Sequence, residues 1–383
     1  MKKKKDIRNI ESLQNPADLG LKPLESLDPD RINDFDELLG AMSRTSFSGR
    51  SLGEALDVME EMVSDPDCLV VGTFSGAMTV AKMGTILCKM IDKGWLDVVI
   101  STGALMAHGF IESIGLKHYK YEVEIMDDKE LFAHGFNRVY DTLEPEINFI
   151  QAEDIIHKVM DTIDKNEVLS SEIICRKIGE YLSRNIQGAG ILKSAYEKNV
   201  PVYIPAFTDS ELALDIATHI LRENSRALES EDYSDLPYPF NPFHDLLSYT
   251  RKIAGSKKIG LFTIGGGVPR NWAQQVGPFL EIANQRLDDL ELPLRRFQYG
   301  VRICPEPVHW GGLSGCTYQE GISWGKFVPK TQGGKYAEVY SDATIAWPIL
   351  IKGLQQRLAK KKRIYSARSK KKTWTPDQVR GDG

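Results

Sequence analysis

The chain of 383 residues is 42% hydrophobic and 26% charged, a composition typical of globular proteins that excludes a disordered or fibrous chain. It contains no apolar run of about 18 residues, which excludes a membrane-spanning helix. The five cysteines are scattered and form no CxxC pair. The sequence therefore favours neither a disulfide framework nor a structural zinc site, and it indicates a reducing, cytoplasmic location.

The net charge of −5 is unevenly distributed along the chain. Residues 352–383 carry +9 and residues 1–8 carry +4, which leaves −18 on residues 9–351. An acidic body argues against nucleic-acid binding and would attract small polycations. The basic ends are typical of solvated lysine tails, and no apolar stretch follows the first of them, so it is not a secretory signal.

The first 65 residues are polar and predict a helical N-terminal extension, with an amphipathic helix over residues 51–62. From residue 68 onward, short apolar runs alternate with stretches of helical period, which is typical of a doubly wound, parallel α/β sheet. We therefore predict one α/β domain over residues 66–358, followed by a basic, disordered tail over 359–383. The predicted strands are 68–73, 97–102, 200–205, 258–264, 297–303 and 338–340.

Residues 228–244 are rich in acidic residues, proline and tyrosine. We interpret them as a long surface loop that covers a site.

Four predicted strands end in turns that could contact a ligand. The fourth strand is followed by Gly265, Gly266 and Gly267, and a helix beginning there would offer free N–H groups to an anion such as a pyrophosphate. Helix capping explains each turn taken singly. Four such turns at one sheet edge favour an extended cofactor, a dinucleotide. The other turn residues are Thr73, Ser75, Thr102, Gly103 and Asp209.

The segment 309–326 is the densest in candidate chemistry. Trp324 and Lys326 are two residues apart, so in extended backbone they would share a face. A lysine beside an indole in apolar surroundings loses solvation, and the lowered pKa is what a Schiff-base nucleophile requires. Glu320 would hold a cationic substrate nearby. The simpler alternative is a surface lysine that follows a turn.

The remaining histidines show no spacing typical of a metal site. We therefore expect no metal, and we interpret these histidines as exposed or hydrogen-bonded. The sequence also contains no GxSxG motif and no P-loop, so neither a serine hydrolase nor a P-loop nucleotidase is indicated.

Four motifs resemble, in order, landmarks of the deoxyhypusine synthase family: PAFTD at 205–209, the glycine turn at 265–267, SWGK at 323–326 and VYSDA at 339–343. The correspondence runs from about residue 73 to residue 351. The resemblance implies a Rossmann-like sheet that binds NAD and a homotetramer with its sites at dimer interfaces. It also implies a reaction in which spermidine is oxidised by NAD and its aminobutyl part passes through a lysine imine to an acceptor amine.

The resemblance also implies roles for individual residues. Lys326 corresponds to the imine-forming lysine, Trp324 to the tryptophan of the amine channel and Glu320 to a nearby carboxylate. Asp215 corresponds to the polyamine-binding aspartate. The implied cofactor contacts include Thr102, Gly103, Asp209, Asp342 and Ala343.

This sequence departs from the family pattern at four positions. Eukaryotic members have a histidine where Asn271 stands, a glutamate where His108 stands, and aspartates where Trp310 and Leu313 stand. Three acids and a general base are therefore replaced, which places the chain in the deoxyhypusine synthase-like branch. Asn271 and His108 stay candidates for the substrate site, and His108 is a candidate for proton transfer.

Several functions fit these residues. The leading hypothesis is an NAD-dependent aminobutyl transferase whose acceptor is a small amine, as in homospermidine synthesis, or a protein lysine. A genuine deoxyhypusine synthase acting on a translation factor is the first alternative. A simple NAD-dependent amine dehydrogenase, in which Lys326 only binds substrate, is the second. A non-catalytic polyamine or nucleotide sensor is the third.

Overall fold

The computed structural model describes residues 8–122, 126–229 and 236–361. The strands are β1 Cys68–Phe74, β2 Val98–Ser101, β3 Tyr119–Lys120, β4 Phe136–Val139, β5 Thr142–Pro145, β6 Val202–Tyr203, β7 Lys258–Ile264, β8 Phe297–Ile303 and β9 Lys335–Val339. The helices are α1 Phe35–Met42, α2 Phe47–Ser64, α3 Gly84–Asp92, α4 Gly103–Ser113, α5 Asp128–Ala133, α6 Glu146–Met160, α7 Ser171–Asn185, α8 Ile191–Lys198, α9 Glu211–Glu223, α10 Pro242–Ala254, α11 Gly267–Gln274, α12 Val276–Arg286, α13 Tyr318–Ser323 and α14 Ala343–Lys360.

The main sheet is parallel, with the strand order β6-β2-β1-β7-β8-β9. The chain builds β1, β2 and β6 in one direction and then crosses back to add β7, β8 and β9 on the other side of β1. This is the order of the Rossmann fold, and its crevice lies between the carboxyl ends of the two strands at the reversal, β1 and β7. The predicted α/β class, with a mostly parallel Rossmann-like sheet, is confirmed.

Both faces of this sheet are covered by helices. Alternate residues of β1 enter different clusters: Val70 and Phe74 join one core, and Val71 joins the other. The first core includes residues of α2, α4, α7 and α14, and the second includes residues of α10, α11 and α12. Because both faces are buried, the strands read as continuous apolar runs, which is why the sequence revealed them.

The N-terminal helices are in contact with the sheet. The amphipathic segment predicted at residues 51–62 lies within α2, whose buried side packs against β8 and β9. The α1 helix packs against α14, and Arg357 of α14 donates to Asp36 of α1 at 2.6 Å. Residues 35–64 therefore cover one face of the domain. Residues 1–7 and 362–383, and with them most of the predicted tail, lie outside the described residues.

Two features differ from the sequence prediction. The chain between α4 and α6 forms a second, antiparallel sheet with the strand order β3-β5-β4. Its strands are too short to show an alternating pattern of apolar and polar residues in the sequence. The strand predicted at 200–205 is shortened to Val202–Tyr203 at the sheet edge, because Pro201 and Pro205 have no N–H to donate.

The loop predicted at 228–244 is described only in part, since residues 230–235 fall outside the described ranges. Its second half is tied to residues 165–169: Tyr238 N donates to Lys165 O at 2.7 Å, and Leu169 N donates to Pro239 O at 2.7 Å. From Pro242 onward the segment is the start of α10. In the part of the chain that the structure describes, no helix is both long and apolar enough to cross a membrane.

Candidate active site

The glycine turn lies at the crevice between β1 and β7. Gly265 has φ +74°, and a Cβ there would lie 2.1 Å from Ser75 Oγ. Ser75 Oγ in turn accepts a hydrogen bond from Gly266 N at 2.9 Å. A Cβ on Gly266 would lie 2.5 Å from Ser314 Cα. The glycines are therefore required by close backbone packing, which joins this turn to the loop containing Ser314.

The turns after β2 and β6 are in contact as well. Gly103 begins α4, and a Cβ there would lie 2.2 Å from Ser210 Cβ. Asp209, next to Ser210, is exposed, and Thr102 is half-buried with its N–H bonded to Phe74 O at 3.1 Å. The structure thus gathers the predicted turn residues at one edge of the sheet.

Two further predicted cofactor contacts, Thr73 and Asp342, are held by side-chain hydrogen bonds. Thr73 is fully buried, and its hydroxyl lies 2.8 Å from that of Thr263 in the neighbouring strand. Asp342 is the N-cap of α14, where it accepts from Thr344 N at 2.8 Å, and Ala343 is buried as the first residue of that helix. Asp342 itself is exposed, so its carboxylate also remains accessible to a ligand.

Lys326 is positioned by the end of α13. Gly325 has φ +70° and donates to Ile322 O at 3.0 Å, and Lys326 N donates to Gly321 O at 3.1 Å. These two bonds form a Schellman motif, in which the left-handed residue is normally glycine. The expectation that Trp324 and Lys326 share a face of extended backbone was therefore wrong. A helix C-terminus brings the two side chains together instead.

The backbone of Lys326 is also held by β8. Phe297 N donates to Lys326 O at 2.9 Å, and Val328 N donates to Phe297 O at 3.0 Å. A Cβ on Gly321 would lie 2.6 Å from the ring of Phe327, so that ring packs directly over the helix. The lysine therefore extends from a rigid anchor.

The ammonium group of Lys326 has a neutral partner. The residue is only 7% exposed, and its Nζ donates to Asn271 Oδ1 on α11 at 3.0 Å. Nζ also lies 5.8 Å from the centre of the Trp324 ring. Burial lowers the pKa of Lys326, and the nearby charge of Arg270 lowers it further, against opposing contributions from Cys316 and Glu320. The predicted direction of this shift is confirmed.

These groups share a cavity of about 260 Å³, which we call the lysine cavity. It brings together four of the predicted site residues: Lys326, Trp324, Glu320 and Asn271. Trp324 is 64% exposed at its rim. The lining residues are Asn271, Gln275, Val308, Gly311, Gly312, Leu313, Cys316, Glu320, Trp324 and Lys326.

Two buried arginines, neither of them predicted from the sequence, hold the loop that closes this cavity. Arg302 donates to Ser314 O at 2.6 Å and to Cys316 O at 2.7 Å, and Arg270 donates to Cys316 O at 2.7 Å. The sequence did contain a sign that Arg302 is buried and paired, because it is a charged residue within a largely apolar strand. Because Ser314 also contacts the glycine turn, this loop links the lysine cavity to the crevice of the sheet.

Asp215 lies elsewhere, on α9, with Glu211 on the same helix and Glu153 on α6. We call these three residues the acidic group. Burial raises the pKa of Asp215 to about 7, and the charges of Glu153 and Glu211 contribute in the same direction. Glu211 Oε2 is buried and has no hydrogen-bond partner in the described residues. None of the three lines the lysine cavity.

His108 is also outside that cavity, on α4. It is buried, and its Nδ1 is hydrogen-bonded to Glu144 Oε2 on β5. His118 Nε2 lies 3.1 Å from the same oxygen. Although burial opposes ionisation, these two histidines lower the pKa of Glu144 to about 2. Sequence reasoning missed His118 and Glu144, because only the small antiparallel sheet brings them to α4.

Fold and site together define a doubly wound α/β protein with a glycine turn at the reversal of strand order and a buried lysine beside the following helix. The model of the deoxyhypusine synthase family matches residues 37–354, so the chain belongs to that family. The resemblance seen in the sequence is confirmed.

Individual relatives agree. The chain is 32% identical over 321 residues to "Probable deoxyhypusine synthase 2" of Methanosarcina mazei, covering 84% of this chain and 86% of the relative. It is 27% identical over 338 residues to "Deoxyhypusine synthase-like protein" of Elusimicrobium minutum, covering 88% and 83%. A crystal structure of a proposed deoxyhypusine synthase from Entamoeba histolytica aligns with a TM-score of 0.53 at 12% identity, over 86% of this chain and 96% of that one, and shows the shared fold.

Proposed function

We propose that this protein is an NAD-dependent transferase that moves an aminobutyl group from a polyamine such as spermidine through an imine on Lys326. The observation that carries the proposal is the setting of the Lys326 amine. It is almost fully buried, and its hydrogen-bond partner is the neutral amide of Asn271, 3.0 Å away. Such a setting favours the unprotonated amine that imine formation needs.

The proposed role of Lys326 is nucleophilic. Its neutral Nζ attacks the carbon of a donor amine that has been oxidised to the imine level. The bond from that carbon to the departing amine then breaks, and the aminobutyl group stays on Lys326 as a new imine. An acceptor amine attacks the same carbon and releases Nζ. Asn271 Oδ1 orients Nζ for its attack on the donor carbon, because it accepts one of the Nζ hydrogens.

The rest of the lysine cavity suits a cationic chain. Glu320 supplies a carboxylate, and the Trp324 ring supplies an aromatic face. The acidic group adds a second cluster of carboxylates at the start of α9. The net charge of −18 on residues 9–351 would draw a polyamine towards the protein.

The turns at the sheet edge fit NAD. The glycine turn lies at the reversal of strand order, where dinucleotides bind in this fold, and its last residue, Gly267, begins α11. NAD, when bound, would take a hydride from the carbon beside an amine nitrogen and later return it. The residues proposed to hold NAD are Ser75, Thr102, Gly103, Asp209, Gly265, Gly266, Gly267, Asp342 and Ala343, with Thr73 supporting the end of β1.

The acceptor is either a small amine, which gives a homospermidine-type product, or a protein lysine. Asn271 cannot titrate, so the proton transfer that a histidine performs at this position in eukaryotic relatives would need another group, for which His108 is the candidate. A genuine deoxyhypusine synthase is thus the less favoured alternative.

We also propose self-association into a homotetramer with the lysine cavity at an interface. Large apolar side chains that line the cavity are exposed, with Trp324 64% and Leu313 48% exposed. Rims of this kind are typical of surfaces that a partner covers. No nucleic-acid partner is proposed, and a cytoplasmic location is expected.

Product analysis tests the proposed function. The wild-type protein and the Lys326→Ala variant are incubated with NAD and with spermidine, putrescine or agmatine. NADH and the amines are then quantified. We expect transferred product from the wild type and none from Lys326→Ala, whereas exposed Lys330→Ala retains activity. NADH without transferred product in both proteins would favour the dehydrogenase instead. No turnover of any amine would contradict the proposal.

A further inference from the structure

His108, His118 and Glu144 form a compact group, which we call the histidine cluster. The three come from different elements: α4, the segment before β3, and β5. All three residues are buried, and one potential ligand atom from each lies within 4.8 Å of the others. Their separations along the chain are 10 and 26 residues, so no sequence motif announces them.

Glu144 has unused bonding capacity. Its Oε2 takes the contacts with both histidines, His118 Nε2 at 3.1 Å and His108 Nδ1. Its Oε1 is buried and has no hydrogen-bond partner in the described part of the chain. A buried carboxylate oxygen normally has a partner, so this orphaned atom points to a missing ligand.

We propose that the histidine cluster binds a divalent transition-metal ion, with Zn²⁺ as the best fit. Two imidazoles and one carboxylate are the protein ligands of many catalytic zinc sites, which keep a fourth position open. The imidazoles disfavour Mg²⁺ and Ca²⁺, which prefer oxygen ligands. His108 keeps 9% side-chain exposure, against 0% for His118, so the open position faces the His108 side.

The surroundings allow both histidines to act as neutral ligands. His118 Nδ1 lies 2.7 Å from Lys82 Nζ, which also pairs with Glu112 at 2.6 Å. Metal binding at His118 Nε2 moves the ring proton to Nδ1, so Lys82 must turn fully towards Glu112. Metal binding at His108 Nδ1 moves that ring proton to Nε2.

This site shares one residue with the proposed transferase chemistry, since His108 is also the candidate for proton transfer there. None of its residues lines the lysine cavity, and the test below measures metal binding, so its outcome does not depend on the role of Lys326. A metal ion at His108 would place a Lewis acid where eukaryotic relatives carry a glutamate. That change would replace a group that attracts ammonium ions with one that binds a neutral amine or a water molecule.

Metal titration of the full-length, untagged protein tests the proposal. The protein is first dialysed against a chelator and then titrated with Zn²⁺, with Co²⁺ as a spectroscopic probe and with Mg²⁺ as a negative control. We expect one Zn²⁺ per chain and the visible absorption of tetrahedral Co²⁺. We expect the His118→Gln and Glu144→Gln variants to bind Zn²⁺ more weakly by about 100-fold or more. Replacing a residue that only hydrogen-bonds to a metal ligand already weakens binding by up to about 100-fold, and these two residues are proposed as ligands. The matched control is His219→Gln, because His219 is buried beside another histidine, His157, at a ring distance of 5.2 Å.

Lys82→Asn keeps the proposal testable if the ligand variants fail to fold. Lys82 has φ +64°, which asparagine tolerates, and its removal takes a competing positive charge from His118. We expect this variant to bind Zn²⁺ several-fold more tightly than the wild type, roughly the effect of losing one nearby charge. No stoichiometric binding by the wild type, or binding unchanged in Lys82→Asn and the ligand variants, would overturn the proposal and leave the cluster as a hydrogen-bond network.

Discussion

The lysine cavity and the acidic group are built in different ways. Most of the cavity comes from one continuous stretch, residues 308–326, and its lysine is placed by the turn that ends α13. The acidic group comes from α6 and α9, which contact each other and both pack against α4. Local turn chemistry builds the first region, and tertiary packing builds the second.

In both regions, burial disfavours the charged form of a titratable side chain. Burial lowers the pKa of Lys326 and raises the pKa of Asp215 to about 7, so each region suppresses its own charge. A polyamine would act differently on the two. Its ammonium groups would favour the ionised form of Asp215, whereas they would further disfavour the charged form of Lys326. Substrate binding would thus strengthen the contrast between a binding carboxylate and a nucleophilic amine.

Removing the nucleophile should produce the largest effect. Lys326→Arg keeps a long cationic side chain, but its guanidinium cannot form the imine. We expect transferred product to fall by about 10³-fold or more, the size seen when a covalent nucleophile is lost. Product formation with saturating NAD and amine measures it. Activity within about tenfold of the wild type would contradict the assigned role.

Gly325→Ala tests whether the turn positions the lysine. The φ of +70° strains any residue with a Cβ, by about 1–2 kcal/mol. A displacement of Lys326 of about 1 Å would lower kcat by roughly 10²-fold.

Gly94→Ala is the matched control, because Gly94 ends α3 in the same type of motif with φ +67° and open space around it. We expect both variants to lose similar stability in thermal unfolding and only Gly325→Ala to lose activity. Equal activity in the two would show that the turn does not position the lysine.

Asn271→Asp changes the partner of Lys326 from neutral to charged. A carboxylate beside Nζ would raise the pKa of Lys326, by about 1–3 units for such contacts. The fraction of neutral amine at pH 8 would fall, so activity should drop about tenfold and recover as the pH is raised. A pH–rate profile measures this. Asn271→Leu removes the hydrogen bond without adding charge, and its profile should not move to higher pH.

Asp215→Asn should have the smallest effect, on stability. The pKa of Asp215 is raised from its ordinary value of 3.8 to about 7. Its stabilising contribution to the free energy of unfolding is therefore complete below pH 3.8 and is lost as the pH rises through 7. The variant should therefore be more stable than the wild type at pH 8, by about 1 kcal/mol after allowance for partial exposure, and equal at pH 4. Denaturant unfolding at both pH values measures the difference. Exposed Asp154→Asn should leave the pH dependence unchanged.

Much of the fold followed from the sequence because the strands are buried on both faces. Runs such as residues 259–264 are mainly apolar, and glycine follows this one directly. The two-residue strand β3 and the four-residue strands β4 and β5 leave no such pattern, so the antiparallel sheet was not predicted. The histidine cluster was not predicted for the same reason, because its members are brought together by that sheet.

The candidate site was predictable to the extent that it is local. The WGK element predicted a buried lysine beside an indole, and the structure places both in one cavity, although by a helix end instead of extended backbone. The buried arginines that hold the cavity loop act through backbone carbonyls far along the chain, a role that residue type alone does not reveal.

Covalent trapping at Lys326 tests the central claim most directly. The wild-type protein is incubated with NAD and spermidine, reduced with borohydride, digested and analysed by mass spectrometry. The account predicts a reduced aminobutyl adduct on the peptide containing Lys326, which requires NAD and is absent from Lys326→Arg. An adduct on another lysine, or none with spermidine, putrescine or agmatine although NADH forms, would contradict it.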